Sequence, residues 1–340
     1  HDVVESSHAS SSLSWADGIS RALTRTGRAD RHVVAVVGDG ALTGGMTWEA
    51  LNNISDDNDR NLIIIVNDNG RSYAPTIGGM ARYLNRVRTG PSYRAMYRSS
   101  GQVFGKFGAA GRAMYRGLRG GTHGFLSRLT NNAALYSNLD IKYLGPVDGH
   151  DLEAMIETLQ MAKSYGAPVI VHTITEKGRG YQPALDDHDD QFHAVGKINP
   201  DTGASMSKSS VPGWTDVFAE ELVRIGEQRA DVIAITAAML RPTGLAPFAE
   251  RFPDRTYDVG IAEQHAVTSA AGMAYGGLHP VVAMYATFMN RAFDQVLMDV
   301  GLHRAGVTFV LDRAGVTGPD GPSHHGIWDL AMLQLVPHIR

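Results

Sequence analysis

Asp39 and Asn69 are the two side chains whose types and spacing say most about chemistry. Asp39 lies in Gly38-Asp39-Gly40, directly after the apolar run 33–37, and Asn69 closes Asn67-Asp68-Asn69 after the apolar run 62–66. A carboxylate at one strand end and an amide carbonyl at another offer two hard oxygens to a cation. Both suit Mg²⁺, which keeps an octahedral oxygen shell and shares it with substrate phosphates and water. The backbone carbonyl of Arg71 is a candidate third ligand. Glycines beside Asp39 let backbone N–H groups approach a phosphate, and a helix starting at Thr43 or Gly44 would aim its positive end the same way. Gly-Asp-Gly alone occurs in many turns; Asn69 behind a second buried strand is what gives it weight. A second acidic candidate is Glu263, within Asp258-Val259-Gly260-Ile261-Ala262-Glu263-Gln264-His265-Ala266. A glutamate opening a helix is ordinarily a surface residue that satisfies the helix dipole. Its small, apolar neighbours open another reading, a partly buried carboxyl with a raised pKa.

The elements that must position these groups follow from hydropathy. Runs 33–37 and 62–66 are uniformly apolar and 168–175 reads as another buried strand, as in a parallel sheet covered on both faces. Helices are expected over 13–24, from 43 or 44 to 54, and over 152–165 behind Asp151 as N-cap. The β-loop-α-β order argues for a doubly wound parallel sheet. Strand 168–175 runs into the polar, glycine-rich Glu176-Lys177-Gly178-Arg179-Gly180-Tyr181, at the sheet edge where ligands collect. A second α/β pattern has helices at 214–228, 263–275 and 291–303, and strands at 232–237, 256–259, 281–286 and 307–311. The polar stretch 182–213 connects the two. Segment 71–137 shows no clear element. Its arginines, including Arg112, Arg116 and Arg119, read either as a solvated basic insertion or as a mobile cover over an anionic substrate.

Composition narrows the function classes. The chain has 340 residues, 43% hydrophobic and 19% charged, enough for two domains with a large core. A formal net charge of -4 argues against a bulk nucleic-acid or anionic-membrane surface. No cysteine is present, so disulfides, thiolate nucleophiles and cysteine-bound metals are excluded. No apolar run is long enough to span a bilayer, and the first residues lack signal-peptide features. A cytoplasmic protein is expected.

Gly-Asp-Gly followed by Asn at this interval resembles the diphosphate-binding motif of thiamine diphosphate enzymes. Further motifs narrow the likeness: Ser7-His8-Ala9-Ser10, Gly145-Pro146-Val147-Asp148-Gly149-His150-Asp151, Lys177-Gly178-Arg179-Gly180-Tyr181, the 258–266 stretch, Tyr285-Ala286-Thr287-Phe288 and Asp312-Arg313-Ala314-Gly315. In this order they resemble the 1-deoxy-D-xylulose-5-phosphate synthase family, and 67–76 looks most like its actinobacterial branch.

The resemblance implies an α/β fold of two thiamine-diphosphate-binding domains, each a mainly parallel sheet flanked by helices. It divides the chain into a diphosphate-binding domain at 1–200 with a 71–137 insertion, a linker at 201–213, and a pyrimidine-binding domain at 214–340. It implies thiamine diphosphate and Mg²⁺ as cofactors, pyruvate and D-glyceraldehyde 3-phosphate as substrates, and a homodimer, with no nucleic-acid or membrane partner. Asp39, Asn69 and Arg71 would hold the metal. Ser7, His8, Ala9, Gly40, Ala41, Lys177 and Tyr181 would contact the cofactor, with Ser7 and Ala9 departing from the family's Gly-His-Ser. Glu263 would hydrogen-bond the aminopyrimidine and Phe288 would stack on it. Tyr285, Arg291 and Arg313 would bind substrate, the arginines its phosphate. His193, His324 and Asp320 would orient substrate and move protons. The family also has a longer N-terminal portion and a third, C-terminal domain, so a chain truncated at both ends is expected. Two alternatives stay open: a transketolase, and a cofactor-binding fragment without catalysis.

Overall fold

The computed structural model describes residues 4, 7–57, 59–72, 75–89, 139, 141–206, 211–318 and 321–340. The chain forms two compact units. The N-terminal unit comprises 10–71 and 79–177; the C-terminal unit comprises 1–9, 72–78 and 178–340.

The N-terminal unit carries a four-stranded parallel sheet of β1 (Val33–Gly38), β2 (Leu62–Asp68), β3 (Lys142–Asp148) and β4 (Val169–Ile174), in the order β1-β2-β4-β3. β4 is buried along its whole length and β2 nearly so; the aliphatic run of β2 calls for this, and β4 buries the polar His172 and Thr173 among its aliphatic residues. Each fully buried Ile, Leu or Val contributes roughly 1.5–3 kcal/mol. β1 departs from the expectation of burial on both faces: Val34 and Val36 are 52% and 61% exposed. The physical reason is position, because β1 is one of the two edge strands of the sheet. Helices α1 (Ser12–Arg25) and α2 (Gly45–Ser55) pack their Leu13, Leu51 and Ile54 against the sheet. Helix α4 (Leu152–Lys163) is capped by Asp151, whose carboxylate accepts from Ala154 N at 3.0 Å. Helix α3 (Gly78–Thr89) occupies the start of 71–137, where no element was expected. Its paired glycines and interspersed arginines obscure the period, but Leu84 and Val87, three apart, are both buried. Arg112, Arg116 and Arg119 lie outside the described residues.

The C-terminal unit repeats the architecture with β5 (Val232–Thr236), β6 (Thr256–Asp258), β7 (His279–Tyr285) and β8 (Thr308–Asp312), all parallel, in the order β6-β5-β7-β8. The polar stretch before it holds one short helix, α5 (Gln182–Asp186), and a bridge between Ile198 and Ser205. Helices α6 (Trp214–Gln228), α7 (Ala246–Arg251) and α8 (Glu263–Tyr275) precede β5, β6 and β7 in turn. The helix expected at 291–303 is instead a composite. Ala286–Met289 is α-helical, Asn290–Ala292 is 3₁₀, Phe293–Gln295 is α-helical, and Val296–Gly301 is a π segment. Bonds from Leu302 N to Leu297 O and from Ala305 N to Val300 O span five residues. They bury Val296 and Val300 together and bring the bare backbone of Gly301 against Val336. Among the described residues no helix is long and apolar enough to cross a membrane.

Candidate functional site

In the N-terminal unit, Asp39 and Asn69 are carried to adjacent strand ends by the β1–β2 pairing, in which Gly38 is level with Asn67. Asp39 N donates to Asn67 O at 3.1 Å, and Asn69 N lies 3.4 Å from Asp39 Oδ1. The Asp39 carboxylate is 1% exposed. The Asn69 side-chain oxygen accepts from Arg71 N at 3.1 Å, which folds 69–71 into a tight turn with the Arg71 carbonyl close in sequence to the amide. That oxygen keeps a second lone pair. Gly40 and Ala41 lie in the 3₁₀ turn Gly40–Thr43, fastened by Thr43 Oγ1 to Gly40 O at 2.6 Å and Thr47 Oγ1 to Ala41 O at 2.9 Å. Lys177 follows β4 at the same edge of the sheet. Among the described residues no group of three His, Cys, Asp or Glu is placed to hold a metal. A cation here would therefore rely on one carboxylate, one amide and a backbone carbonyl, a donor set of hard oxygens that fits Mg²⁺.

The C-terminal unit gathers the second set. Glu263 opens α8 and is 3% exposed, and Oε2 has no hydrogen-bond partner among the described residues. Burial pushes its carboxyl above the usual carboxylate range, against the opposing pull of its own backbone N–H and the Arg291 charge. A buried polar atom without a partner costs about 1–3 kcal/mol, so Oε2 is an atom suited to a hydrogen bond with a ligand. The turn before it is held by Asp258, whose Oδ1 accepts from Ala238 N at 2.8 Å and Gly260 N at 3.0 Å. Asp258 was not singled out from the sequence; its place at the end of β6, two residues before a glycine, was the available signal.

His8 lies in this unit with Nε2 2.9 Å from the Ser323 carbonyl and 3.0 Å from Thr287 Oγ1. A carbonyl only accepts, so the proton sits on Nε2. Burial holds the His8 pKa below its ordinary value, opposed by the Ser323 carbonyl and assisted by the Arg291 and His324 charges. Phe288 packs edge-on to His8 at 5.1 Å and to His324 at 5.6 Å, and stacks on Tyr285 at 5.7 Å. Arg313 sits over the Tyr285 ring at 4.9 Å and pairs with Asp312 at 2.9 Å. Arg291 donates to the Ala9 carbonyl, and Ser7 Oγ is 2.7 Å from Ser323 Oγ.

Glu263, Arg291, His8, Phe288, Tyr285, His324 and Arg313 thus form one neighbourhood. His193 and Tyr181 have other settings in this unit. His193 lies on an exposed turn with its N–H bonded to Asp190, and Tyr181 donates to Pro200 O at 2.8 Å. Asp320 lies outside the described residues. Thr287 and Ser323, which fix His8, were missed because hydroxyls beside a histidine carry no periodic or spacing signal. A cavity of about 620 Å³ lined by Val296, Val300 and Val336 contains none of these groups.

The N-terminal unit carries a hard-oxygen pair at adjacent strand ends, and the C-terminal unit carries a buried carboxyl with an open oxygen and an aromatic ring flanked by two imidazoles. Comparison with known proteins agrees. The 1-deoxy-D-xylulose-5-phosphate synthase family model matches residues 1–175, and the pyrimidine-binding domain of transketolase matches 210–340. The chain is 76% identical to the 1-deoxy-D-xylulose-5-phosphate synthase of Leifsonia xyli subsp. xyli, 75% to that of Clavibacter sepedonicus and 63% to that of Tropheryma whipplei. In each case the match covers 100% of this chain and 52%, 52% and 54% of the relative. The chain therefore spans about half the length of these relatives. With parallel sheets, motifs and whole-chain identity in agreement, the chain belongs to the 1-deoxy-D-xylulose-5-phosphate synthase family.

Proposed function

We propose that the protein is a thiamine diphosphate-dependent transferase that joins pyruvate to D-glyceraldehyde 3-phosphate, giving 1-deoxy-D-xylulose 5-phosphate and CO₂. This is the first step of the methylerythritol phosphate route to isoprenoids, and it also feeds thiamine synthesis. The observation that carries the reading is identity of 60–76% along the whole chain to relatives bearing that name, supported by the unpartnered Glu263 Oε2. The proposal includes a homodimer acting in the cytoplasm.

Thiamine diphosphate, when bound, would supply a nucleophilic carbon and an electron sink for decarboxylation. The N-terminal unit holds its diphosphate end: Asp39, Asn69 and the Arg71 carbonyl through Mg²⁺, and Gly40 and Ala41 through the backbone. Lys177 adds positive charge there. The C-terminal unit serves the aminopyrimidine end. Glu263 hydrogen-bonds the ring nitrogen through its buried carboxyl, and Phe288 offers a flat face. His8 and the backbone of Ser7 and Ala9 line the cofactor, as does Tyr181. Arg291 and Arg313 take the acceptor's phosphate beside Tyr285. His193, His324 and Asp320 orient the substrate and carry protons. The domain division proposed is 1–200, 201–213 and 214–340.

Donor choice tests the reading. With thiamine diphosphate and Mg²⁺, the protein is expected to release CO₂ from pyruvate when D-glyceraldehyde 3-phosphate is present. Turnover of a ketose phosphate with none of pyruvate would instead mark it a transketolase.

A further inference from the structure

Behind the Asp39–Asn69 pair lies a buried polar chain that the proposed chemistry does not use. Asp68, between Asn67 and Asn69, has a side chain that is 0% exposed. Its Oδ2 is 3.1 Å from His172 Nε2, and His172 is itself 1% exposed. His172 Nδ1 is in turn 2.6 Å from the Tyr143 hydroxyl. The directions of these bonds follow from the partners: a carboxylate accepts, so His172 donates from Nε2, and Nδ1 accepts from Tyr143. The chain crosses three neighbouring strands, β2, β4 and β3. The other Asp68 oxygen, Oδ1, faces the Arg88 guanidinium of α3 at 3.5 Å. Arg88 also lies against Gly70, which adopts φ +79° and where a Cβ would collide with the guanidinium. Thr175 Oγ1 adds a bond of 2.6 Å to the Asn67 side-chain oxygen.

Burying a carboxylate and an imidazole behind one turn, with a part-exposed guanidinium against them, is costly unless the network has a task. The turn it grips presents Asn69 to Asp39. We propose that Asp68, His172, Tyr143 and Arg88 are positioning residues that fix the 67–71 turn, so that the Asn69 oxygen and the Arg71 carbonyl meet a divalent cation held by Asp39. The inference rests on the reading of Asp39 and Asn69 as metal ligands. Groups that orient metal ligands change affinity by roughly 10–100-fold when removed.

The experiment is calorimetric titration of thiamine diphosphate into the full chain across a range of Mg²⁺ concentrations. His172→Gln and Arg88→Met are compared with wild type, with Tyr143→Phe as the mildest change should either fail to fold. The variants should need about 10-fold more Mg²⁺ for half-maximal cofactor binding, and excess Mg²⁺ should restore wild-type stoichiometry. Unchanged Mg²⁺ dependence in folded variants overturns the positioning role. So does a loss of binding that excess Mg²⁺ does not rescue, since that marks a merely structural network. Asp39→Ala separates the two levels: Mg²⁺ dependence surviving in that variant overturns the metal-ligand reading itself.

Discussion

Glu263 concentrates the account at the scale of single residues. Its carboxyl is buried, its Oε2 has no partner among the described residues, and burial raises its pKa. A carboxyl whose folded pKa lies above its unfolded value binds more protons folded than unfolded, so stability falls as pH rises from the ordinary glutamate range through the raised value. Glu263→Gln removes the titrating group. The melting temperature of the cofactor-free variant should therefore gain on wild type as pH is raised from about 4 to 8. Thermal melts across that range check this, and a pH-independent difference would contradict it. The identity of Glu263 was legible in the sequence as a glutamate opening an apolar helix. Its orphaned oxygen was not, because a missing partner is a property of packing in three dimensions.

Turns at strand ends decide where these residues point. Asp258 ties the end of β5 to the turn before α8 through Ala238 N and Gly260 N. Asp258→Ala leaves both donors short of an acceptor, and a loss of about 1–3 kcal/mol is expected. Urea unfolding measures it, with cofactor affinity falling in parallel; a loss under about 0.5 kcal/mol, ordinary for a surface change, would contradict the role. At this scale the sequence was most readable where patterns were strong. Helices Trp214–Gln228 and Glu263–Tyr275 begin and end where expected, and the aliphatic run of β2 and the mixed run of β4 are buried strands. β1 has the same composition but lies at an edge, and strand order is set by long-range pairing that a local run does not encode. The π segment Val296–Gly301 escaped for a related reason: apolar spacing cannot distinguish one extra residue per turn. Helix α3 was hidden by its glycine start, yet it supplies Arg88 to the turn beside Asn69.

Across the whole molecule the two units carry complementary sets of groups, hard oxygens in one and an aromatic, carboxyl and imidazole cluster in the other. A ligand that binds only the folded state stabilises it by mass action. Thiamine diphosphate with Mg²⁺ at 100 times its dissociation constant should add about 2.7 kcal/mol. EDTA or Asp39→Ala should cancel the gain, as differential scanning calorimetry would show; a gain indifferent to Mg²⁺ would contradict the clamp. The most direct measurement of the central claim is product formation from pyruvate and D-glyceraldehyde 3-phosphate by wild type and by Glu263→Ala, each saturated with thiamine diphosphate and Mg²⁺. The account predicts 1-deoxy-D-xylulose 5-phosphate and CO₂ from wild type, and a loss of at least about 100-fold in the folded variant, the scale of positioned acid–base groups. Undiminished turnover by Glu263→Ala would contradict it.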